Sequence, residues 1–365
     1  MGTITRNFAN NIVTGGKVDG TDGLTGTIPA SNVANDTLGN LTAFPATVGD
    51  FVEVTASDVS ASPSTEGQLF YNSTSGNLKG ISFTAAAWAS GGNLGTGRRR
   101  IAGCGTQTAG LGFGGYNPPA PAGLNATEEY NGSSWTAGGN LGTARGYMAG
   151  AGIQTAGLAF GGYAPGTGPS SSTEEYNGSS WTAGGSLAAQ IDSMAGCGTQ
   201  TAGLGFGGAP GGRVGTYEYN GSTWSPGGDL NTGRQSMAGA GTQTAGLGIG
   251  GYTPGSGSRS LNEEYDGTSW TAGGTLNTAR HASGSAGIQT SALYFGGYTP
   301  APESAATEEY DGSTWSNTTN LTTGRASLAG AGTTSAGLAF GGEPVTAATE
   351  EFTNAFISAK TLTTS

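Results

Sequence analysis

Short apolar stretches separated by glycine-rich turns recur along most of the chain. Self-similarity with a period of 43 to 47 residues is typical of propeller blades, in which each unit is one small sheet. The repeat therefore predicts an all-β fold with one blade per unit. The six units are headed by Trp88, Trp135, Trp181, Trp224, Trp270 and Trp315.

The second unit indicates which strands make up one blade. The segment that begins at Trp135 predicts strand d, GYMAGAG from Gly146 strand a, LAFGG from Leu158 strand b, and TEEY from Thr173 strand c. Strand c is joined to strand d by Asn-Gly or Asp-Gly in five units, which predicts a tight, primed hairpin turn. The small residues of strand a suit the crowded centre of a propeller. The turn pairs begin at Asn131, Asn177, Asn220, Asp266 and Asp311.

The strand count predicts how the ring closes. Six a, b and c sets end at Phe352, whereas the first strand d, at Trp88, precedes every strand a. We therefore expect the segment after Trp88 to complete the last blade and to remove the exposed edge. The alternative is an outer strand supplied by NAFISAKTLTTS from Asn354. The predicted regions are an attachment region with short strands over 1–87, a six-bladed propeller over 88–352, and a tail or closing strand over 353–365.

A pair of glycines ends strand b, and a Tyr and a Trp follow, as in Gly114, Gly115, Tyr130 and Trp135. This order recurs in five units, while the last copy reaches Phe352 and no Trp. The repeat resembles that of Kelch propellers over about three quarters of the chain. The resemblance implies a fold and leaves the activity open, because Kelch propellers include enzymes, adaptors and sugar-binding proteins.

An arginine that opens strand a also resembles the Kelch pattern, with Gln190 in its place in the third unit. Because adjacent strands are antiparallel, we expect the arginines and the b–c loops to share one face. Two interpretations stay open. The arginines bind an anionic or carbohydrate ligand, or each stacks on a Trp and pairs with a strand c Glu. The five are Arg98, Arg145, Arg234, Arg280 and Arg325.

The b–c loops vary in length and sequence and are rich in Pro and Gly. Diverse loops on a uniform scaffold are typical of a recognition surface, although loops also drift when nothing selects them. Binding is the favoured interpretation. The candidate sugar-stacking aromatics are Tyr116, Tyr163, Tyr252 and Tyr298.

The sequence predicts no catalytic residue, metal site or cofactor. The single histidine, His281, stands where other units carry Gly146, Ile191, Gln235 or Ala326, which indicates an ordinary substitution. One His cannot supply a transition-metal site or a His-activated nucleophile of the usual kind. Glu-Glu pairs recur in strand c, whereas a catalytic carboxylate pair is needed only once. We expect one Glu of each pair to bind an Arg and the other to be solvated.

Two cysteines and the overall charge narrow the function further. Cys104 and Cys197 occupy equivalent positions that the other units fill with Ala, which predicts small buried residues. The net charge of −11, with thirteen scattered basic residues, disfavours nucleic acid and anionic membranes as partners. No stretch approaches the ~18 apolar residues of a membrane span, so no membrane insertion is expected.

The first 87 residues differ from the repeats. MGTITRNFANNIVTGG and GQLFYNSTSGNLKG are similar to N-terminal attachment regions of tail-fibre-like proteins of bacteriophages, marine phages in particular. The resemblance implies a non-enzymatic, homo-oligomeric virion protein that is made in the host cytoplasm and released by lysis. It would bind other virion proteins through residues 1–87 and display the propeller to a host-surface glycan or protein. The alternatives are a carbohydrate-active Kelch enzyme and a cellular Kelch interaction module.

Overall fold

The computed structural model describes residues 53–55, 69–72, 75, 77–118, 123–299 and 303–361. They belong to two compact units, one formed by residues 86–354 and the other by the described residues before and after them. Each regular element in this part of the chain is a β-strand, which confirms the all-β class. No helix among these residues is long and apolar enough to cross a membrane.

The smaller unit contains one four-stranded sheet in the order β1-β2-β3-β32. β1 runs parallel to β2, and the other pairs are antiparallel. The C-terminal strand therefore lies at one edge of this sheet. The four strands are β1 (Glu53–Thr55), β2 (Leu69–Asn72), β3 (Asn77–Thr84) and β32 (Phe356–Thr361).

Residues 86–354 form six antiparallel four-stranded sheets, and each sheet is one blade of a β-propeller with strands a, b, c and d in that order. Blade 1 contains β5 (Ala102–Thr106), β6 (Ala109–Phe113), β7 (Thr127–Tyr130) and β8 (Trp135–Ala137). Blade 2 contains β9 (Ala149–Ile153), β10 (Ala156–Phe160), β13 (Thr173–Tyr176) and β14 (Trp181–Ala183). Blade 3 contains β15 (Ala195–Gly198), β16 (Gly203–Phe206), β17 (Thr216–Tyr219) and β18 (Trp224–Pro226).

The second half of the ring repeats this order. Blade 4 contains β19 (Ala238–Thr242), β20 (Ala245–Ile249), β23 (Asn262–Tyr265) and β24 (Trp270–Ala272). Blade 5 contains β25 (Gly284–Ile288), β26 (Ser291–Phe295), β27 (Thr307–Tyr310) and β28 (Trp315–Thr318). Blade 6 contains β29 (Ala329–Gly332), β30 (Ala336–Phe340), β31 (Thr349–Thr353) and β4 (Ala87–Ser90). Two b–c loops form small hairpins, from β11 (Tyr163–Ala164) and β12 (Gly168–Pro169) and from β21 (Tyr252–Thr253) and β22 (Gly257–Ser258).

The ring closes through its first strand. β4 pairs with β31, so that Trp88 lies opposite Phe352. The sequence-based prediction of six blades closed by the strand after Trp88 is confirmed. The alternative fails because β32, from the C-terminal segment, pairs with β3. The first and last segments of the repeat meet in blade 6, so this blade has all four strands and no edge is left open.

The hydrophobic core lies between the blades. Six clusters of buried residues each combine side chains of two consecutive blades. In one of them, Leu111 and Phe113 of blade 1 pack with Ala159 and Tyr176 of blade 2. Burying one such large side chain contributes roughly 1.5–3 kcal/mol. Most of the apolar stabilisation therefore depends on neighbouring blades being in place.

The innermost strands line an axial cavity of about 220 Å³. Glycine lets neighbouring blades approach here, since a Cβ on Gly103 would lie 2.4 Å from Phe340 Cζ of blade 6. Cys104 and Cys197 are buried and form no disulfide, and the alanines at the equivalent positions are also buried. The prediction of small buried residues is confirmed. Burial raises the pKa of both thiols to about 12, which keeps them protonated and unreactive.

Strands c and d are joined by a tight hairpin, as predicted, and the N–H of Asn131 donates to the carbonyl of Ser134 at 3.2 Å. Tyr130 and Trp135 form the last strand pair, which leaves a four-residue loop that begins at Asn131. The Asn131 Oδ1 accepts hydrogen bonds from the N–H groups of Ser133 and Ser134 at 3.0 and 2.9 Å. The side chain replaces a backbone acceptor, so only the glycine of each pair adopts a positive φ.

Candidate functional site

The face that carries the b–c loops is the candidate site, and we call it the loop face. It contains those loops and two residues that precede each strand a. An isolated bridge joins the first of these two residues to the first residue of the loop in the same blade. The bridged pairs are Arg99 with Tyr116, Gly146 with Tyr163, Asp192 with Ala209, Gln235 with Tyr252, His281 with Tyr298, and Ala326 with Glu343.

These bridges correct the predicted start of strand a. In blade 2 the strand begins at Ala149, three residues later than Gly146. Tyr147 has a φ of 55°, which is incompatible with an extended strand. Gly146 and Tyr147 therefore belong to the loop face, and the wall of the axial cavity begins at Met148.

The five candidate arginines lie beneath this face and are buried. Arg98 donates to the carbonyls of Gly114 and Ala126, at the two ends of a b–c loop, and forms an ion pair with Glu128 at 2.6 Å. Its side chain is 0% exposed, and no equivalent exceeds 2%. The arginines therefore fix the loop bases and are not part of the candidate surface. The equivalent ion pairs are Arg145 with Glu174, Arg234 with Glu263, Arg280 with Glu308, and Arg325 with Glu350.

The predicted Arg–Glu pairing is confirmed, whereas the predicted stacking on Trp is not found in the described residues. Arg280 lies instead over the ring of Tyr294, with Cζ 4.7 Å from its centroid. Burial lowers the pKa of Arg98, Arg145 and Arg234, and the carboxylate beside each opposes that change. A guanidinium stays protonated in such a site because its ordinary pKa is so high.

Blade 3 replaces both members of this ion pair. The carbonyl of Arg145 accepts a hydrogen bond from the N–H of Gly115, and the carbonyl of Ile191 accepts the equivalent bond from Gly162. Ile191, and not Gln190, therefore takes the place of the arginine. Tyr217 stands where the other blades have the first Glu, and it packs against the cluster that contains Ile191. By the same alignment Asp192, and not Ile191, is the equivalent of His281.

The second Glu of each strand c is partly exposed, as predicted, but it also accepts a hydrogen bond that the sequence did not indicate. The Tyr176 hydroxyl of blade 2 donates to Glu129 Oε1 of blade 1 at 2.6 Å, and four other tyrosines make the same contact. Burial, and then the carboxylate, raise the pKa of Tyr176 to about 12, so the phenol stays a donor at neutral pH. In blade 6, where Phe352 lacks a hydroxyl, Asn354 donates to Glu309.

A Trp and a Gln each join five of the six blades to the preceding blade. The Trp181 Nε1 donates to Thr127 Oγ1 at 2.9 Å. On the opposite side of the blade, Gln154 Nε2 donates to the carbonyls of Gly110 and Tyr130 at 3.0 and 2.7 Å. The repeated Trp, Tyr and Gln are thus parts of the scaffold, and the blades differ from one another mainly on the loop face.

On blades 4 and 5 the loop face brings three aromatic rings together. The His281 ring lies between Tyr252 and Tyr298, with centroid distances of 5.3 and 5.4 Å. Ser258 Oγ and His281 Nδ1 share a hydrogen bond of 3.0 Å. Burial lowers the pKa of His281, which favours the neutral imidazole. This row offers flat apolar faces with polar edges.

A second group lies at blades 1 and 2. The Tyr116 ring contacts Tyr147 edge to face, with centroids 5.8 Å apart, and its hydroxyl donates to the carbonyl of Tyr163 at 2.7 Å. The Tyr163 side chain is 39% exposed. Arg100 lies over the Tyr147 ring, with Cζ 4.1 Å from the centroid. The four candidate tyrosines therefore divide into two groups.

An ion pair lies between the two groups. Arg99 of blade 1 binds Glu343 of blade 6. Burial, followed by a hydrogen bond to Glu343, raises the pKa of Tyr298 to about 12. Arg99, Arg100, Tyr147, His281 and Glu343 were not selected from the sequence. The sequence signal that could have indicated them is the variation between repeats at the two bridged positions and at the residue that follows the first of them.

The described residues contain no group of three or more His, Cys, Asp or Glu side chains arranged to hold a metal ion. Aromatic rings, a neutral imidazole and guanidinium groups can bind a ligand by stacking and hydrogen bonding. Comparison with models of known protein families and with curated proteins finds no match to this chain.

Proposed function

We propose that the chain is a non-enzymatic, Kelch-type binding protein of a bacteriophage particle, whose loop face binds carbohydrate on a host surface. One observation carries the binding part of the proposal. At six equivalent positions the loop face has Arg99, Gly146, Asp192, Gln235, His281 and Ala326, whereas the buried contacts beneath it repeat. Variation confined to a rigid scaffold's loops supports recognition.

The chemistry of the face favours sugar over an apolar partner. Tyrosine rings stack on flat apolar surfaces while their hydroxyls form hydrogen bonds, and sugars present both kinds of surface. Tyr163 is exposed, and Tyr116, Tyr252 and Tyr298 are half-buried. The virion part of the proposal is supported by the resemblance of residues 1–87 to phage fibre attachment regions, which lie largely outside the described residues.

Binding is tested with the full chain on an array of neutral and acidic oligosaccharides. We expect Tyr163→Ala or Tyr252→Ala to weaken binding about tenfold or more, as for an aromatic residue at the centre of an interface. The matched control is Ile153→Thr, which changes an exposed residue of an a–b turn to the residue that blade 4 carries as Thr242. Both tyrosine variants should unfold at the same denaturant concentration as the wild type. Absence of binding to all glycans would overturn the proposal.

The virion part is tested separately. Mass spectrometry of purified particles should detect the chain, and labelling electron microscopy should locate it on an appendage. If the chain is present in infected cells and absent from the particles, the virion assignment is wrong. Release of sugar products from a bound glycan would favour the alternative of a carbohydrate-active enzyme.

A further inference from the structure

Six residues close a ring of backbone hydrogen bonds on the loop face. The N–H of each donates to the carbonyl of its equivalent in the preceding blade, over 2.7 to 3.1 Å. Each has a φ of 52 to 55°, although none is glycine. Because the ring passes through every blade in order and returns to its start, it encircles the propeller axis. Its members are Arg100, Tyr147, Ser193, Ser236, Ala282 and Ser327.

Two neighbouring members of this ring break its uniformity. Four of the six side chains are Ser or Ala, whereas Arg100 and Tyr147 are large and lie in contact. A small residue evidently satisfies the backbone geometry at this position. The fold therefore does not require the arginine or the tyrosine, and both are partly exposed.

The charge of Arg100 is not neutralised by an ion pair. The five buried arginines each bind a Glu, and Arg99 binds Glu343, but no described carboxylate forms an ion pair with Arg100. Its Nε is buried and has no hydrogen-bond partner. Arg99 and Arg100 thus lie near a single carboxylate, Glu343, while the charge of Asp192 acts on the neighbouring Tyr116.

A guanidinium that lies over an aromatic ring keeps N–H groups for a ligand, and a carboxylate can accept hydrogen bonds from two of them. Tyr116 adds a second ring, at an angle of 65° to that of Tyr147. We propose that Arg100 binds the carboxylate of an acidic sugar whose ring lies against Tyr147 and Tyr116. This inference rests on the proposed carbohydrate-binding function and names the substrate class.

The test compares oligogalacturonate with its methyl ester, which has the same sugar and no charge. Titration calorimetry on the full chain should show at least about tenfold preference for the acid, the size expected of a charge-assisted contact. Arg100→Ser should abolish the preference. The variant should fold, because Ser193, Ser236 and Ser327 occupy the same ring positions. Lys79→Ser removes one positive charge from β3, which is not part of the loop face, and should leave the preference unchanged.

The outcomes separate this inference from the function on which it rests. If galacturonate is not the sugar, the same comparison is made with glucuronate and mannuronate oligomers and their esters. Equal binding of acid and ester, or an unchanged preference in Arg100→Ser, overturns the inference and leaves neutral-glycan binding intact. If glycans of the array bind but no uronate oligomer or ester does, the inference alone fails; if no glycan of the array binds, the proposed function fails as well.

Discussion

The loop face and the opposite face of the propeller use the same six blades in different ways. We call the opposite face, formed by the a–b turns and the c–d loops, the turn face. On the turn face five blades repeat one contact, in which a Gln donates to two carbonyls of the preceding blade. On the loop face the bridged residue before strand a differs in every blade. Repetition marks what the ring requires, and variation marks what it tolerates.

The exceptions within the scaffold support this difference. Blade 3 loses the buried arginine and the first Glu together and has Ile191 and Tyr217 in their places. Blade 6 has Thr334 in place of the turn-face Gln, and its hydroxyl shares a hydrogen bond of 2.7 Å with Ser291. Scaffold positions thus change with their partners, because one member left alone would be a buried unsatisfied group.

The largest expected effect comes from breaking one buried ion pair. Arg234→Ile leaves the Glu263 carboxylate buried and uncompensated, which should lower the free energy of unfolding by roughly 3–5 kcal/mol. Adding Glu263→Tyr recreates the blade 3 pair and should restore part of the loss. Chemical denaturation measures both, with Arg213→Ala as a control outside any ion pair. If the double variant is no more stable than the single one, paired replacement is not the reason for the blade 3 sequence.

A smaller effect is expected on the turn face. Gln154→Ala removes two donated hydrogen bonds and leaves the carbonyls of Gly110 and Tyr130 without that partner. We expect a loss of about 1–2 kcal/mol in the free energy of unfolding. Gln190→Ala, at an exposed position, is the matched control and should change stability by less than about 0.5 kcal/mol. An equal effect of the two substitutions would show that the repeated Gln does not join the blades.

The smallest effect concerns the c–d loops. Hydrogen bonds from Ser269 and Thr268 lower the pKa of Asp266 from 3.8 to about 2. Because the pKa is lower in the folded chain than in the unfolded chain, the ionised carboxylate stabilises the fold at any pH above the unfolded pKa of 3.8. This contribution disappears as the pH falls from 4 towards 2. The stability difference between the wild type and Asp266→Asn should therefore decrease over that range. Asn177→Asp should introduce the same pH dependence into blade 2. A difference that does not vary with pH would contradict the assignment.

Local sequence patterns were sufficient to predict the structure where the same pattern occurred in several repeats. The blades, the order of their four strands, the closing strand and the Arg–Glu pairs all follow from patterns that recur five or six times. Single local signals were less reliable. Asn131-Gly132 predicts the tight hairpin, but it does not predict that the Asn131 side chain accepts hydrogen bonds from Ser133 and Ser134. In blade 3 Ile191 stands four residues before strand a, as Arg145 does in blade 2, so the assignment to Gln190 was one residue off.

The sequence established the blade, the ring and the four loop tyrosines, because short-range hydrogen-bonding and burial patterns specify strands and turns. Only the tertiary structure decided which side chains meet on the loop face. Arg99 and Glu343 are 244 positions apart and touch because ring closure places blade 6 beside blade 1. The partner of Glu129 is likewise a tyrosine of the next blade. Contacts between blades depend on the angle through which each sheet follows the last, and no local pattern of residues encodes that angle.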